Sequence, residues 1–250
     1  MFWHNTCLVI AKQIVMRYLS IIFLCMSFSS YTFAQRIPLG ERTSISFGAQ
    51  LEIPTGEYNQ THNQLNAGIG GSFLTQTKLP FIRSGINFTH AKSGKYEDDI
   101  FLDTNENING NEIYERANFT VNHNIYRTHG VLRFKPFKGP VQPYLDGMAG
   151  IKVFSSTART ELREGRDNYV ISKENLEKSL AGSLGWAIGL KIQLTSGLFL
   201  EGRYEKLEGG NATYIDTDSF QLNPQGNYQY DLLSSKTNSN LAHLGISLDF

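Results

Sequence analysis

Residues 179–207 read SLAGSLGWAIGLKIQLTSGLFLEGRYEKL, and this stretch decides the fold. From Leu184 to Leu194, large apolar residues occupy every second position, with Gly, Ala, Lys and Gln between them. A period of two predicts a β-strand, because a helix would scatter both sets around its circumference. The tripeptide TSG follows at 195–197, and Gly197 suits a tight turn that needs a positive φ. The stretch therefore predicts two antiparallel strands joined by a three-residue loop.

The same period recurs along the chain and predicts eight strands, at 42–53, 66–76, 81–90, 121–135, 142–155, 179–194, 198–207 and 239–250. The connections alternate in length. Three are short (TKLP, PFKGPV and TSG), and four are long and polar, at 54–65, 91–120, 156–178 and 208–238. In an up-and-down meander every second connection lies at the same end, so short turns and long loops separate. This asymmetry is typical of outer-membrane barrels. We therefore predict an all-β, eight-stranded, antiparallel transmembrane β-barrel with short periplasmic turns and long external loops.

The N-terminal segment indicates export. Residues 1–34 contain a basic Arg17, an apolar run at 18–28 and a small-x-small end at Ala34, which together predict a secretory signal peptide cleaved after Ala34. Met16 is the expected true start, and residues 35–250 are the expected barrel domain. Both cysteines, Cys7 and Cys25, precede residue 35, so the mature domain has no thiolate metal site or disulfide.

Composition narrows the function further. The chain has 23 basic and 23 acidic residues, so its zero net charge gives no reason to expect nucleic acid as a partner. Mean hydropathy is -0.28, which argues against a polytopic helical membrane protein. No pattern of metal ligands or cofactor contacts is found, so neither a metal nor a cofactor is expected.

The polar face of the predicted strands is charged. By parity it contains seven basic and five acidic residues: Glu52, Arg83, Arg127, Arg133, Lys135, Asp146, Lys152, Lys191, Glu201, Arg203, Glu205 and Asp249. If TSG places Leu194 opposite Leu198, then Lys191 lies opposite Glu201 and Gly189 opposite Arg203. Long charged side chains facing small or oppositely charged ones suit a narrow lumen filled by side chains. The predicted lumen cluster comprises Lys191, Glu201, Arg203, Glu205, Arg133, Lys152 and Asp146. The alternative is a solvated surface on a soluble barrel.

At this point the sequence resembles the small porin-family outer-membrane β-barrels of Gram-negative envelopes. The resemblance covers the mature chain and is strongest in the final strand, where His243, Gly245, Leu248 and Phe250 match a C-terminal assembly signal. It implies an outer-membrane location, contact with outer-membrane lipid, and recognition by the barrel-assembly machinery. Ala242, Leu244, Ile246, Leu248 and Phe250 would face lipid.

The leading functional prediction is a non-enzymatic outer-membrane barrel whose external loops carry a structural or surface-interaction role, with no wide channel and an unidentified loop partner. One alternative is a small barrel enzyme acting on lipid A or phospholipid, for which His90 and Ser93 are the right residue types without a clear third member. A second alternative is a soluble periplasmic lipocalin-like binder, which requires an apolar interior and a charged exterior.

Overall fold

The structure is a computed structural model that describes residues 43–62, 64–108, 111–164, 167–216, 219–222 and 228–250. The predicted signal peptide and its cysteines lie outside these ranges. The elements are β1 (Thr43–Pro54), α1 (Glu57–Thr61), β2 (Asn66–Gln76), β3 (Ile82–Ile108), β4 (Asn111–Phe134), β5 (Val141–Glu164), β6 (Asp167–Thr195), β7 (Leu198–Gly209), β8 (Asn211–Ile215), β9 (Gln221–Leu222), β10 (Tyr228–Gln229), β11 (Leu232–Lys236) and β12 (Ser239–Asp249). Within these ranges no helix is long and apolar enough to cross a membrane.

Eight of the strands form one closed barrel in the order β1-β12-β7-β6-β5-β4-β3-β2, with antiparallel pairing between neighbours. The first and last strands pair directly, with Ser44 opposite Asp249. The ladder continues to the last residue, because the Thr43 amide donates to the Phe250 carbonyl at 2.8 Å and the Phe250 amide donates back at 2.9 Å. The predicted eight-stranded antiparallel barrel is confirmed.

The hairpin at residues 195–197 differs from the prediction in one detail. Gly197 has a φ of 78°, as a tight turn requires. However, Thr195 pairs with Leu198, and a register shift lies between Gln193 and Thr195, so Leu194 does not lie opposite Leu198. The bulge absorbs one residue, and beyond it the predicted register holds, with Lys191 opposite Glu201.

Two of the predicted long loops are instead continuations of the strands. β3 and β4 pair as far as Ile108 and Asn111, and β5 and β6 pair as far as Glu164 and Asp167. The paired strands β8–β11 and β9–β10 lie in the fourth long connection, 208–238. We call the described parts of 93–123, 155–178 and 210–237 the external head. Its strands carry many polar residues, which hid their period of two.

The outer surface of the barrel is apolar and the interior is polar. All twelve charged residues predicted to face inward are buried, and Arg127, Arg133, Lys152 and Lys191 are among the largest fully buried side chains. Exposed apolar side chains cover the barrel wall, and include Ile45, Phe47, Ile69, Phe73, Ile86, Phe88, Leu132, Leu145, Leu184, Ile188, Leu200, Leu244 and Ile246. Exposed aromatic residues lie near the short turns: Phe81, Phe134, Phe137 and Phe250. This polarity suits a lipid environment and is the reverse of the lipocalin-like alternative, which is therefore wrong.

The seam between β1 and β12 depends on two glycines. Gly48 and Gly245 are Cα partners, and a Cβ on Gly48 would lie 2.3 Å from the Leu244 carbonyl oxygen. A Cβ on Gly245 would lie 2.4 Å from the Phe47 carbonyl oxygen. These contacts are with backbone atoms that cannot move aside. Close backbone approach therefore requires both glycines at the closing seam.

We predict that Gly48→Ala and Gly245→Ala both impair barrel closure, because each added methyl group would push β1 and β12 apart. Gly202→Ala is the matched control, since a Cβ there would meet nothing within 4 Å. Heat-modifiable migration on SDS gels is the measurement. A normal Gly48→Ala barrel beside a defective Gly245→Ala barrel would show that Gly245 is needed for a reason other than sterics, such as the assembly signal.

Candidate functional site: a charged lumen below an external head

Asp249 is the hub of the layer of the lumen nearest the short turns. Its Oδ2 lies 3.1 Å from Arg83 Nη1 of β3 and 3.4 Å from Nζ of Lys135, the residue after β4. Its Oδ1 lies 2.7 Å from Lys191 Nζ of β6. All four side chains are buried. One carboxylate on the last strand therefore joins three other parts of the barrel wall across the lumen.

The ammonium group of Lys191 points to this hub and forms no ion pair with Glu201. The Cα register opposite Glu201 is as expected, but Lys191 Nζ donates to Ser44 Oγ at 2.7 Å and Ser247 Oγ at 2.6 Å in addition to Asp249. The side chain is long enough to leave its cross-strand neighbour for a site with three acceptors. The two residues are therefore opposite each other in register, as predicted, but the ion-pair partner of Lys191 is Asp249.

A second layer is built on Arg133. Its Nε and Nη2 donate to the two oxygens of Asp146 at 2.8 and 2.9 Å, and Nη2 also lies 3.2 Å from Glu201 Oε1. The guanidinium carbon sits 3.6 Å from the ring centroid of Tyr144, whose hydroxyl donates to Glu201. Tyr144 also occupies the space beside Gly189, where a Cβ would lie 2.2 Å from the ring. Sequence reasoning missed Tyr144, although it shares the inward parity of Asp146.

A third layer lies nearer the external end. Arg203 Nη2 pairs with Glu205 Oε1 at 2.6 Å. Lys152 Nζ instead donates to the Thr237 carbonyl oxygen at 2.6 Å and Ser239 Oγ at 2.9 Å, both neutral acceptors. All seven predicted lumen residues are thus inside the barrel, but they divide among three layers. Multiple ion pairs in the first two layers and the single Arg203–Glu205 pair in the third offset part of the desolvation of these charges.

The residues of the predicted assembly signal have clear positions. His243 is buried beside Arg203, its Cα partner on β7, and neither ring nitrogen has a hydrogen-bond partner among the described residues. Gly245 faces the lumen at the closing seam, whereas Leu248 and Phe250 lie on the outer face. The inward and outward residues of the last strand alternate as predicted. Recognition of this strand by the assembly machinery stays a prediction.

A group of buried aromatic residues lies at the external end of the barrel. Tyr58 of α1 is buried and its ring packs edge-on against Phe154 at 6.0 Å and Tyr214 at 5.4 Å. The ring of His62 stacks on Tyr58 at 5.4 Å. We call Tyr58, Phe154 and Tyr214 the aromatic cap. Burial raises the pKa of the Tyr58 hydroxyl, so this group stays neutral in the cap.

The His and Ser considered for catalysis lie on opposite faces. His90 stacks on the ring of Tyr126 on the outer face, while Ser93 points inward, 2.9 Å from His62 Nε2. The same Nε2 lies 3.1 Å from Asn66 Oδ1, and the Asn66 amide is oriented by its bond to a carboxylate, Glu52. An amide oxygen only accepts, so Nε2 carries the proton and cannot take one from Ser93. A nucleophile-and-base pair therefore does not form here.

A closed barrel with an apolar exterior, an ion-paired lumen and short turns at one end defines an integral outer-membrane protein. No family model matches the sequence, and no curated protein matches it.

Solved structures similar to this chain include the following three. Neisserial surface protein A is 13% identical with a TM-score of 0.42, over 83% of this chain and 97% of that one. A major outer membrane protein from Thermus thermophilus is 14% identical with a TM-score of 0.45, over 83% and 99%. Ail, the attachment invasion locus protein of Yersinia pestis, is 12% identical with a TM-score of 0.38, over 85% and 100%. Likeness at this level carries no inference about function.

We predict that Asp249→Asn destabilises the barrel by several kcal/mol, on the order of 3–5, because buried cations lose their shared carboxylate. Thermal unfolding in detergent is the measurement. Asp98→Asn, at an exposed position of the external head, is the control. The double variant Asp249→Asn with Lys135→Gln should recover part of the loss. An unchanged unfolding temperature for Asp249→Asn would contradict the role of Asp249 as the hub.

A buried histidine beside the cap makes the external end sensitive to acid. On β4 the lipid-facing wall reaches Tyr126, so His123 lies outside the spanning segment. His123 Nδ1 lies 2.7 Å from Ser156 Oγ and its side chain is buried. Burial, with a smaller contribution from nearby His62, lowers the pKa of His123 to about 4. Between about pH 6.5 and 4 the unfolded state binds more protons at this site, so stability falls as the pH falls.

We predict that lowering the pH from 7 to 5 costs up to about 2 kcal/mol through His123, and that His123→Gln removes this part of the pH dependence. The measurement is the difference in unfolding temperature between pH 7 and pH 5, compared for the wild type and the variant. His90→Gln, on the outer face, should keep the wild-type response. Equal responses of His123→Gln and the wild type would show that His123 does not titrate as described.

Proposed function

We propose that this protein is a non-enzymatic outer-membrane barrel whose external head is a rigid surface for interaction with another molecule. In this proposal the lumen braces the barrel and does not conduct solutes. The observation that carries the proposal is the hydrophobic core of the external head. An ordered core outside the membrane gives the head a fixed surface, which supports a binding role.

The core of the external head lies between the strand extensions and the 211–236 segment. Its buried residues include Ile100, Ala117, Phe119, Val121, Ala158, Ile215 and Phe220. Phe220 comes from the 211–236 segment and stacks on Phe119 of β4 at 5.8 Å. Tyr96 of β3 packs against the same ring at 4.7 Å. Contacts of this kind hold the segment to the sheet, and a preordered surface loses less conformational entropy when it binds.

The outer surface of the external head offers both polar and apolar contacts. Lys95 pairs with Glu97 and Arg116 pairs with Asp99 on one exposed face. At the far end, close to the hairpin between β5 and β6, Tyr169, Val170 and Ile171 are three successive exposed apolar residues. Such patches on an otherwise polar surface commonly mark interaction sites, which supports the proposed role.

Two further observations support a role without catalysis or conduction. His62 donates from the nitrogen that a catalytic base would need, as described above. The buried aromatic cap and the ion pairs of the three layers support a lumen filled by side chains. We also propose that the barrel-assembly machinery recognises β12 through His243, Gly245, Leu248 and Phe250.

We predict that the purified protein in a planar lipid bilayer gives no sustained open-channel current, because charged side chains and the aromatic cap fill the lumen. The measurement is single-channel recording at both polarities. A porin of known conductance in the same bilayer is the positive control. Stable ohmic steps from the wild-type protein would contradict the proposal of a bracing lumen.

We predict that Phe220→Ala loosens the external head while the barrel stays folded. Loss of a buried Phe costs about 3 kcal/mol, so cleavage by trypsin at Arg159 and Lys173 should rise on the order of a hundredfold. Heat-modifiable migration reports the barrel and should not change. Tyr169→Ala, an exposed position, is the control and should be cleaved like the wild type. Equal cleavage of Phe220→Ala and the wild type would contradict an ordered core in the external head.

A further inference from the structure

A basin opens on the external head next to its aromatic core. It has a volume of about 430 Å³ and is lined by Ser219, Gln221, Tyr228, Gln229, Tyr230 and Asp231. Two aromatic rings and several polar side chains thus converge on one concave surface. The basin lies outside the lumen, so the bracing charges play no part in it.

The three aromatic rings at this basin are nearly parallel and are offset from one another. The ring centroids of Phe220, Tyr228 and Tyr230 are 5.9, 6.0 and 6.1 Å apart in the three pairs, and the planes are within 21° of parallel. In a single column of three stacked rings, the distance between the two outer rings would be twice the distance between neighbours. The three distances here are nearly equal, so the rings do not form such a column. Phe220 is buried in the core, while the partly buried Tyr228 and Tyr230 pack against it and line the basin.

The two tyrosine rings are held in place from the sheet side. The Tyr228 hydroxyl donates to Glu174 Oε2 at 2.9 Å, and the Tyr230 hydroxyl donates to the Leu176 carbonyl oxygen at 3.4 Å, both on β6. Burial and the Glu174 carboxylate raise the pKa of Tyr228 to about 12, so this donor keeps its proton. Both hydroxyls are hydrogen-bonded to β6, so the rings are held in position before any ligand binds.

The polar residues of the basin divide into two roles. Ser219 braces the segment, since its Oγ donates to the Asp216 carbonyl oxygen and accepts from the Asp231 amide, each at 2.8 Å. The side chains of Gln221, Gln229 and Asp231 are exposed at the basin. Two amides and a carboxylate supply both donors and acceptors in planar pairs.

We propose that this basin binds a neutral oligosaccharide of pyranose units. A pyranose ring has a C–H face that packs on an aromatic ring and equatorial hydroxyls that pair with amide and carboxylate groups. The 6.1 Å separation of Tyr228 and Tyr230 is comparable with the distance between successive rings of such a chain. Asp231 and Glu174 add negative charge at this place, which disfavours anionic polysaccharides. The inference rests on the proposed function, and names the class of partner for the external head.

The test is saturation-transfer NMR on the full-length protein, with maltotriose, cellotriose and chitotriose as probes. The detergent should carry no sugar head group, because a maltoside would compete for the basin. Transfer from the protein to ring C–H protons of at least one probe is expected. No transfer to any of the three, or stronger binding of an oligogalacturonate, would overturn the proposal.

Matched variants connect binding to the basin. Tyr230→Ala should raise the Kd for the probe by about tenfold or more, which corresponds to about 1.4 kcal/mol. Tyr230→Phe should bind the probe nearly as well as the wild type. The double variant Gln221→Ala with Gln229→Ala removes exposed amides without touching the aromatic core, and should also weaken binding. Tyr169→Ala is the aromatic control elsewhere on the external head. Equal affinity of Tyr230→Ala, the double variant and the wild type would place binding elsewhere and overturn the proposal.

Two biological sources can supply such an oligosaccharide, and a competition experiment against the bound probe distinguishes them. Polysaccharide from the cell's own lipopolysaccharide and glycans from another cell are each added against the bound probe. Displacement by the first indicates a self ligand, and displacement by the second indicates a foreign one. The same protein preparations are also tested for trypsin cleavage of the external head and for channel current in a lipid bilayer. A head that is ordered but binds no sugar overturns this inference alone, whereas a disordered head overturns the proposed function.

Discussion

Pairing between β1 and β12 closes the sheet, and the rest of the structure depends on this closure. In lipid an open edge would leave a row of backbone donors and acceptors without partners, so the last strand has to pair with the first. The Gly48–Gly245 seam makes this approach sterically possible. Asp249 then brings its carboxylate to Arg83, Lys135 and Lys191. The strand that closes the backbone ladder also neutralises charges on other strands.

The closed barrel has a narrow interior, and its charges must find partners within it. The charges are arranged in three layers, so a few carboxylates are shared among several cations. Asp249 serves three cations, Arg133 serves two carboxylates, and Arg203 pairs with Glu205. Long side chains leave their cross-strand neighbours when a better set of acceptors lies across the lumen, as Lys191 does. The same ion pairs therefore neutralise the buried charges and link strands that are remote in sequence.

The external head uses the opposite arrangement. There the sheet leaves the lipid and its inner face needs an apolar cover, which the 211–236 segment supplies through Phe220 and Ile215. The same segment presents Tyr228 and Tyr230 to the basin while their hydroxyls are fixed to β6. Order in this region is what would make it useful as a binding surface, because a ligand would meet rings that are already in place.

The amino-acid sequence by itself determined the number of barrel strands, their inward and outward faces, and the ends at which short and long connections lie. These properties follow from a local period of two, which needs no knowledge of distant residues. Only the tertiary structure decided which charges meet, because Lys191, Tyr144 and Asp249 reach across the lumen to strands that are remote in sequence. It also decided that the described parts of 91–120 and 156–178 continue as strands. Their polar residues obscured the alternation, and the segment that covers their apolar face lies more than thirty residues further along the chain.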